Sequence, residues 1–333
     1  MDTGNEIKKP KDGFFSRTNP LWIIFAFLAW YILLGGILHV GFEYICYAVQ
    51  PHVSNAFLFT LEMYTATICD IIAVFLITWC FKHNRFIWKS FLLPKKYDSL
   101  ELDEEDLTAE FYGRSRNSIG QLWKGILLGF LTNFFCILCA LIHGDIRLYF
   151  DAKLSEIPFF VFALISVCIQ STAEELWCRG FLYERLHEKF PLWVAIVVNG
   201  SIFGLLHLGN PGVTVLSIIS IIVCGLSYSI LRWYTGNIWI AMGIHTGWNF
   251  TQNFLFGLPN SGLVSEASVF HLDASTGISN LIYDYGFGVE GALPAIFADA
   301  FVAVLCLILA KKAGRLGELK LKRVLPNEQD TAC

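Results

Sequence analysis

Charged side chains are scarce in this sequence. Asp, Glu, Lys and Arg make up 16% of its 333 residues, whereas a soluble globular domain carries about 25%. The charges are missing from long blocks of the chain, which argues against a soluble globular protein and predicts a protein that crosses a membrane several times. No basic stripe lies on a polar face, so nucleic acid is not an expected partner.

Three further signatures are absent. No cysteine pattern of a metal site or disulfide framework is present. The ten cysteines include one CxxC, Cys136 and Cys139, which lies in an apolar run without a second pair. We therefore interpret the cysteines as small apolar side chains. The polar stretch 1–19 leads into a long apolar run without a small-residue cleavage site, and no cleaved signal peptide is expected. The chain also lacks an internal repeat and paired broken helices, which argues against a transporter.

The apolar runs that are present predict an all-α fold, a polytopic transmembrane bundle of about eight helices. The runs cover 20–48, 54–81, 119–143, 157–189, 191–208, 213–233, 237–257 and 291–310. They divide the chain into a cytoplasmic tail (1–19), two accessory helices with an acidic loop (20–117), a membrane domain (118–310) and a basic cytoplasmic tail (311–333).

The distribution of Lys and Arg predicts the orientation. If the N-terminus is inside, the successive inner segments hold four, eight, three, one and six of these residues, which is 22 of 24, and only Arg147 and Lys153 fall outside. Because positive charge concentrates on the cytoplasmic side of membrane proteins, both termini are expected inside the cell.

Two adjacent acids lie within the fourth apolar run, in the stretch EELWCR. An ionisable side chain at the centre of a membrane helix costs about 2.5–3.5 kcal/mol, so such residues are usually functional. Glu175 and Arg179 are four apart and share a helix face, which predicts a structural ion pair. Glu174 lies about 100° away around the helix. It is therefore the carboxylate left free for acid–base chemistry.

Two further pairs share helix faces, Phe203 with His207 and His245 with Asn249. A histidine with an amide one turn later can direct two donors at one point, which suits an oxyanion. Glu174 and His207 lie 16 and 17 residues from the turn near 190, so both sit about 25 Å from it.

His245 is less easily placed, because it lies about nine residues from the turn at 234–236. Straight helices would leave it offset by about 10 Å from Glu174 and His207. Helix tilt or unequal turn depths would have to absorb this offset.

These patterns, EExxxR, FxxxH and HxxxN, resemble the three motifs of the CAAX-prenyl-protease and bacteriocin-processing family (CPBP, or Abi) of intramembrane proteases. The resemblance covers residues 157–257. It implies a catalytic membrane domain over 118–310, with a cavity opening to the cytoplasm and glutamate-dependent endopeptidase activity. The motifs stand as Glu174–Arg179, Phe203–His207 and His245–Asn249.

The resemblance also implies roles for the individual residues. Glu174, assisted by His207, would activate water. His245 and Asn249 would stabilise the tetrahedral oxyanion. The residues that would shape the site are Glu175, Arg179 and Phe203.

A second interpretation makes Glu174, His207 and His245 the ligands of a zinc ion, since two His and one carboxylate leave an open position. The zinc-protease motif HExxH is absent, and we expect no cofactor. The stretch TGNIWIAMGIHTGWNF (235–250) resembles bacterial members, whose substrates are not prenylated. The expected partners are a membrane-associated peptide or protein substrate and the lipid bilayer, in a bacterial plasma membrane.

Two other functions stay open. A catalytically silent scaffold, or a bacteriocin self-immunity or regulatory protein, would keep the fold and act by binding a partner. A proton-coupled transporter would use Glu174 and His207 as a relay. The complete motif set argues against the first, and the absence of repeats argues against the second.

Overall fold

The computed structural model describes residues 117–150, 152–265, 267–273 and 279–321, with a few helical positions within 41–48 and 67–72. Most of the two accessory helices, the acidic loop and the end of the basic tail lie outside the described residues. The described chain is a bundle of helices, which confirms the predicted all-α class. The domain boundaries stay a prediction.

The helices are numbered from the first one described in full. They are α1 (Ile119–His143), α2 (Ile157–Glu175), α3 (Tyr183–Lys189), α4 (Leu192–Leu205), α5 (Val215–Thr235), α6 (Ile238–Asn249) and α7 (Leu293–Lys312). A π-helical segment, Leu176–Leu182, joins α2 to α3, and a second one, Phe250–Leu255, extends α6. Short 3₁₀ turns lie at Leu154–Glu156, Leu206–Gly209, Val289–Gly291 and Arg315–Lys320.

Local capping explains where these helices begin and end. The Ser118 hydroxyl accepts a hydrogen bond from the first turn of α1, and Gly144, with φ 88°, terminates it. Gly236, with φ 64°, terminates α5, and the Asn237 side chain then caps α6. The chain therefore passes from α5 to α6 through only two residues, Gly236 and Asn237.

Within the part of the chain that the structure describes, five helical segments are long and apolar enough to cross a membrane: Ile119–His143, Leu154–His187, Leu192–Gly209, Val215–Thr235 and Leu293–Lys312. The chain is accordingly a multi-pass membrane protein. The run predicted over 237–257 does form a helix, but it is not among these five. Polar residues such as His245, Asn249 and Gln252 lower its hydropathy, and positions 241–248 are buried against neighbouring helices.

Close glycine contacts pack α6 against α1. Gly125 and Gly129 of α1 face Gly243 and Gly247 of α6, and a Cβ atom on Gly129 or Gly247 would lie 2.1 Å from a backbone oxygen of the other helix. The two helices run in the same direction, with small residues four apart on each, as in other close membrane-helix pairs. His245 is two residues from each glycine of α6, about 200° around the helix, so it faces away from α1.

The segment 258–290 connects the apolar runs 237–257 and 291–310, and its described part contains a strand and buried side chains. Phe270–Asp273 (β2) pairs antiparallel with Arg147–Phe150 (β1), with Arg147 opposite Asp273. Leu258 and Tyr283 are buried in one cluster with side chains of α1 and α7. Four-residue strands separated by more than a hundred residues leave little local signal, which is why sequence periodicity did not predict them.

Candidate active site

A buried ion pair forms the wall of the site. Arg179 Nη1 donates to Glu175 Oε1 at 2.9 Å, and both side chains are 0% exposed. The predicted pairing of these two residues is thus confirmed. Arg179 Nη2 also donates to the Gly225 carbonyl at 3.3 Å, and its guanidinium lies 4.1 Å from the centroid of the Phe203 ring. Arg179 therefore links α2 to both α4 and α5.

The helices α2 and α6 change to π-helical geometry directly after Glu175 and Asn249. Arg179 lies in the segment Leu176–Leu182, and Phe250–Leu255 begins directly after Asn249. Single π-helical turns are rare in proteins, and those that occur often lie at functional sites. This geometry marks the two helices without assigning a role to any residue.

His245 lies between the two acids. Its Nδ1 donates to Glu175 Oε1 at 3.0 Å, and its Nε2 lies 3.9 Å from Glu174 Oε2. Because the carboxylate accepts, Nδ1 carries the hydrogen, and Nε2 becomes a donor only in the protonated ring. The ring therefore has one carboxylate beside each of its nitrogens.

His207 follows α4 in the 3₁₀ turn Leu206–Gly209. Its Nδ1 donates to the Phe203 carbonyl at 2.9 Å. A carbonyl can only accept, so this bond fixes the tautomer and leaves Nε2 as an acceptor in the neutral ring. His207 interacts electrostatically with Glu174 and His245. Glu174, His207 and His245, which the sequence singled out, are thus near enough to interact electrostatically.

The expected offset of His245 from the acids is not observed, since its Nε2 lies 3.9 Å from Glu174 Oε2. Ile238 and Met242, in the first turns of α6, pack in the same cluster as Leu176 and Phe181 of the π-helical segment. The start of α6 therefore packs against the segment that follows Glu175. His245 reaches the level of the acids although it is only seven residues from the start of α6.

Sequence reasoning missed two amide side chains. Gln170 Nε2 donates to Glu174 Oε1, and Asn249 Nδ2 donates to Gln170 Oε1 at 3.3 Å. Asn260 Nδ2 in turn donates to Asn249 Oδ1 at 3.2 Å. Gln170 could have been found, because it lies four residues before Glu174 on the same helix face. Asn260 comes from a turn beyond α6, and no local pattern connects it to the site.

Asn260 begins a tight turn that is joined to the site by its bond to Asn249. Its N–H donates to the Leu263 carbonyl at 2.8 Å, and Ser261 and Gly262 between them have φ 47° and 83°. Two successive positive φ angles are typical of a type I′ turn. The Ser261 N–H donates to Glu290 and its carbonyl accepts from Asn210 Nδ2 at 3.0 Å. Burial raises the pKa of Glu290 to about 7, although the bonds from Ser261 act in the opposite direction.

Burial separates the two acids. Glu175 is fully buried with Arg179, whereas 18% of the Glu174 side chain is accessible. His207 and Asn249 are also partly accessible. A substrate could therefore reach Glu174, His207 and Asn249 but not the ion pair, which fits the division predicted from the sequence. The catalytic roles themselves stay predictions.

The candidate zinc ligands do not form a metal site as they are placed. Within the described residues, no three His, Cys, Asp or Glu side chains are grouped closely enough to hold a metal ion. The free Nε2 of His207 is suitable chemistry for zinc, but Glu174, His207 and His245 are not gathered around one point. The absence of a cofactor stays a prediction.

Comparison with known proteins agrees with the motifs. Residues 156–251 match the family model described as type II CAAX prenyl endopeptidase Rce1-like. The uncharacterized protein YyaK of Bacillus subtilis (strain 168) is 33% identical over 138 residues, which cover 38% of this chain and 46% of that protein. No solved structure matches. The resemblance to the CAAX-prenyl-protease and bacteriocin-processing family of proteases is therefore confirmed over the segment that holds the candidate site.

Proposed function

We propose that this protein is an intramembrane endopeptidase that hydrolyses a peptide bond of a membrane-associated peptide or protein. The observation that carries the proposal is the position of Glu174, an accessible carboxylate whose Oε2 lies 3.9 Å from His245 Nε2, beside a second acid that is fully buried in an ion pair. The match to a protease family over 156–251 supports the same reaction class.

Water would be activated between Glu174 and His207. Glu174 Oε2 accepts a proton from the water while His207 Nε2 accepts a hydrogen bond from its second hydrogen. The water oxygen attacks the scissile carbonyl carbon, and a tetrahedral oxyanion forms. Glu174 then passes the proton to the amide nitrogen, the C–N bond breaks, and a carboxylic acid and an amine leave.

The oxyanion would be held by His245 and Asn249. One hydrogen of Asn249 Nδ2 is used by Gln170, and the other remains for the oxyanion. Protonated His245 donates from Nε2, while Glu175 holds its Nδ1 side. Donors fixed before the reaction stabilise developing charge without reorganisation, and removal of one such donor typically costs about 10²–10³ in kcat.

The substrate we propose is an unprenylated peptide or protein of a bacterial plasma membrane. The support is the likeness of 235–250 to bacterial members of the family and the similarity to a Bacillus protein. The exposed apolar faces of α2 and α4 provide contacts for a substrate that arrives through the bilayer, for instance at Val161, Ile165 and Val197.

The test compares wild-type protein in liposomes with Glu174→Gln, on an amphipathic unlipidated peptide and on a farnesylated CAAX peptide, with products identified by mass spectrometry. Loss of a general base is expected to lower the rate by about 10²–10⁴. Asp273→Asn, an exposed acid at the end of β2, is the matched control and should be fully active.

Besides the two test peptides, the peptides released from the membranes of cells that express wild type or Glu174→Gln are compared. Full cleavage by Glu174→Gln would overturn the assignment of the base. Loss of activity with a strong chelator, restored by zinc, would favour the metal interpretation. A cellular phenotype that survives in Glu174→Gln would favour the scaffold.

A further inference from the structure

Three amide side chains connect Glu174 to the turn beyond α6. The hydrogen bonds run from Asn260 Nδ2 to Asn249 Oδ1, from Asn249 Nδ2 to Gln170 Oε1, and from Gln170 Nε2 to Glu174 Oε1. We call this set the amide chain. It joins α2, the end of α6 and the turn that begins at Asn260.

The direction of the amide chain is forced from one end. An ionised carboxylate only accepts, so Gln170 must present its NH₂ group to Glu174 and its oxygen to Asn249. Asn249 must then present its own NH₂ group to Gln170 and its oxygen to Asn260. If any amide flipped, two acceptors or two donors would face each other. Only this arrangement satisfies all the contacts.

The outer end of the amide chain is also held by bonds from outside the chain. The turn is fixed by the bond from Ser261 to Glu290 and by the bond from Asn210 to Ser261. The φ of 83° at Gly262 suits glycine, and a Cβ atom there would lie 1.9 Å from the Pro211 carbonyl oxygen. Asn210 and Pro211 follow His207 by three and four residues. The turn therefore connects the end of the His207 segment to the amide chain.

We propose that Gln170 and Asn260 are positioning residues, which hold Glu174 Oε1 through a one-way chain of amide hydrogen bonds and leave Oε2 to the reacting water. The proposal rests on the proposed function and adds two residues to it. The proposal also gives Asn249 a second role. The bond from Asn249 Nδ2 to Gln170 orients the Asn249 amide, so that its remaining hydrogen faces the oxyanion. Positioning of reacting groups by residues behind them affects kcat more than substrate binding.

The expected effects on kcat depend on how near each residue of the amide chain lies to Glu174. Gln170→Met keeps the volume and removes both hydrogen-bonding groups, so it should lower kcat about 10–100-fold with KM changed less than about twofold. Asn260→Ala should lower kcat about 3–10-fold, since it frees only the far end. Asn260→Asp keeps the size but lacks the donor, and should be no better than Asn260→Ala.

The double variant gives the sharpest readout. If Asn260 acts on Glu174 only through Asn249 and Gln170, then Gln170→Met/Asn260→Ala should be no slower than Gln170→Met alone. Asn253→Ala is the matched control, because Asn253 donates to the Leu258 and Leu263 carbonyls in the same turn but not to the chain. It should change thermal stability in detergent, with kcat within about twofold of wild type.

The experiment measures kcat, KM and thermal unfolding of these variants on a reporter peptide that the wild type cleaves. In parallel, the rate at which a carbodiimide modifies Glu174 is measured by mass spectrometry, which needs no substrate. Modification should be about tenfold faster in Gln170→Met, because Oε1 is released. Unchanged modification together with wild-type kcat in Gln170→Met would overturn the chain, and so would strictly additive effects in the double variant. Full cleavage by Glu174→Gln would instead overturn the proposed function.

Discussion

At the scale of single residues, pairing distinguishes two neighbouring acids of identical type. Glu175 accepts from both Arg179 and His245, and it is fully enclosed. Glu174 accepts from the neutral amide of Gln170, and 18% of its side chain is accessible. Glu175 is therefore enclosed by its two partners while Glu174 can be reached, so the two acids differ in their access to a substrate although they are adjacent in sequence.

Removal of one partner of the buried pair should therefore be costly. Arg179→Met leaves Glu175 without its cation, and unfolding in detergent should be easier by about 3–5 kcal/mol. The double variant Glu175→Gln/Arg179→Met leaves no buried charge of the pair, so it should recover most of that stability.

Lys311→Met, at the exposed end of α7, is the control and should unfold like the wild type. If Arg179→Met were as stable as wild type, the pair would not carry the structural role assigned to it.

At the scale of elements, two local features of the helices position the site residues His245 and Arg179. The glycine face of α6 fixes the distance to α1 and sends His245 to the opposite side. The π-helical segment after Glu175 carries Arg179 into contact with α4 and α5. In each case a local departure from an ordinary apolar helix determines where a polar side chain points.

Widening the α1–α6 contact should displace His245. Gly247→Val places a side chain where a Cβ atom already lies 2.1 Å from the Ile126 carbonyl oxygen, a backbone atom that cannot move freely. Overpacking of this kind costs about 1–3 kcal/mol and should abolish most peptide cleavage. The measurement is thermal unfolding together with the rate on the reporter peptide.

Gly120→Val near the start of α1 is the control. Its Cβ atom would meet only the Ser118 hydroxyl oxygen, at 3.7 Å. An equal effect of the two substitutions would show that helix propensity, rather than the close contact, determines the outcome.

At the scale of the whole molecule, two expectations about access to the site oppose each other. The resemblance implies a cavity that opens to the cytoplasm. The Lys and Arg distribution instead places outside the cell the two segments beside the site, Leu206–Gly209 and the turn at 260–263. Both segments lie at the same end of the bundle as β1 and β2 if the helices cross in the predicted order.

Labelling with a membrane-impermeant maleimide tests the orientation. From the charge distribution, Lys153→Cys and Leu263→Cys, which are both exposed, should react in intact cells. Lys320→Cys should react only after permeabilisation. The unsubstituted chain, with its ten native cysteines, gives the background. The opposite pattern would reverse the predicted orientation and place the turn beside the site in the cytoplasm.

Much of the site could be predicted because its signals are local. Apolar runs predicted the described helices, and the spacing of four residues predicted the Glu175–Arg179 contact. Hydropathy and helix-face relations depend on neighbours in the chain, so they can be read without a structure. The bond of His207 to Phe203 is likewise a contact within one helical turn.

The sequence by itself determined the membrane class, the positions of the described helices and the set of motif residues. Only the tertiary structure decided that one ring nitrogen of His245 lies beside Glu175 and the other beside Glu174. Only the tertiary structure decided that Asn260, in a turn, donates to Asn249. It also decided that β1 pairs with β2. These contacts join segments whose separation is set by helix packing and turn depth. No periodicity along the chain records such distances, because packing depends on the shapes of side chains from several helices at once.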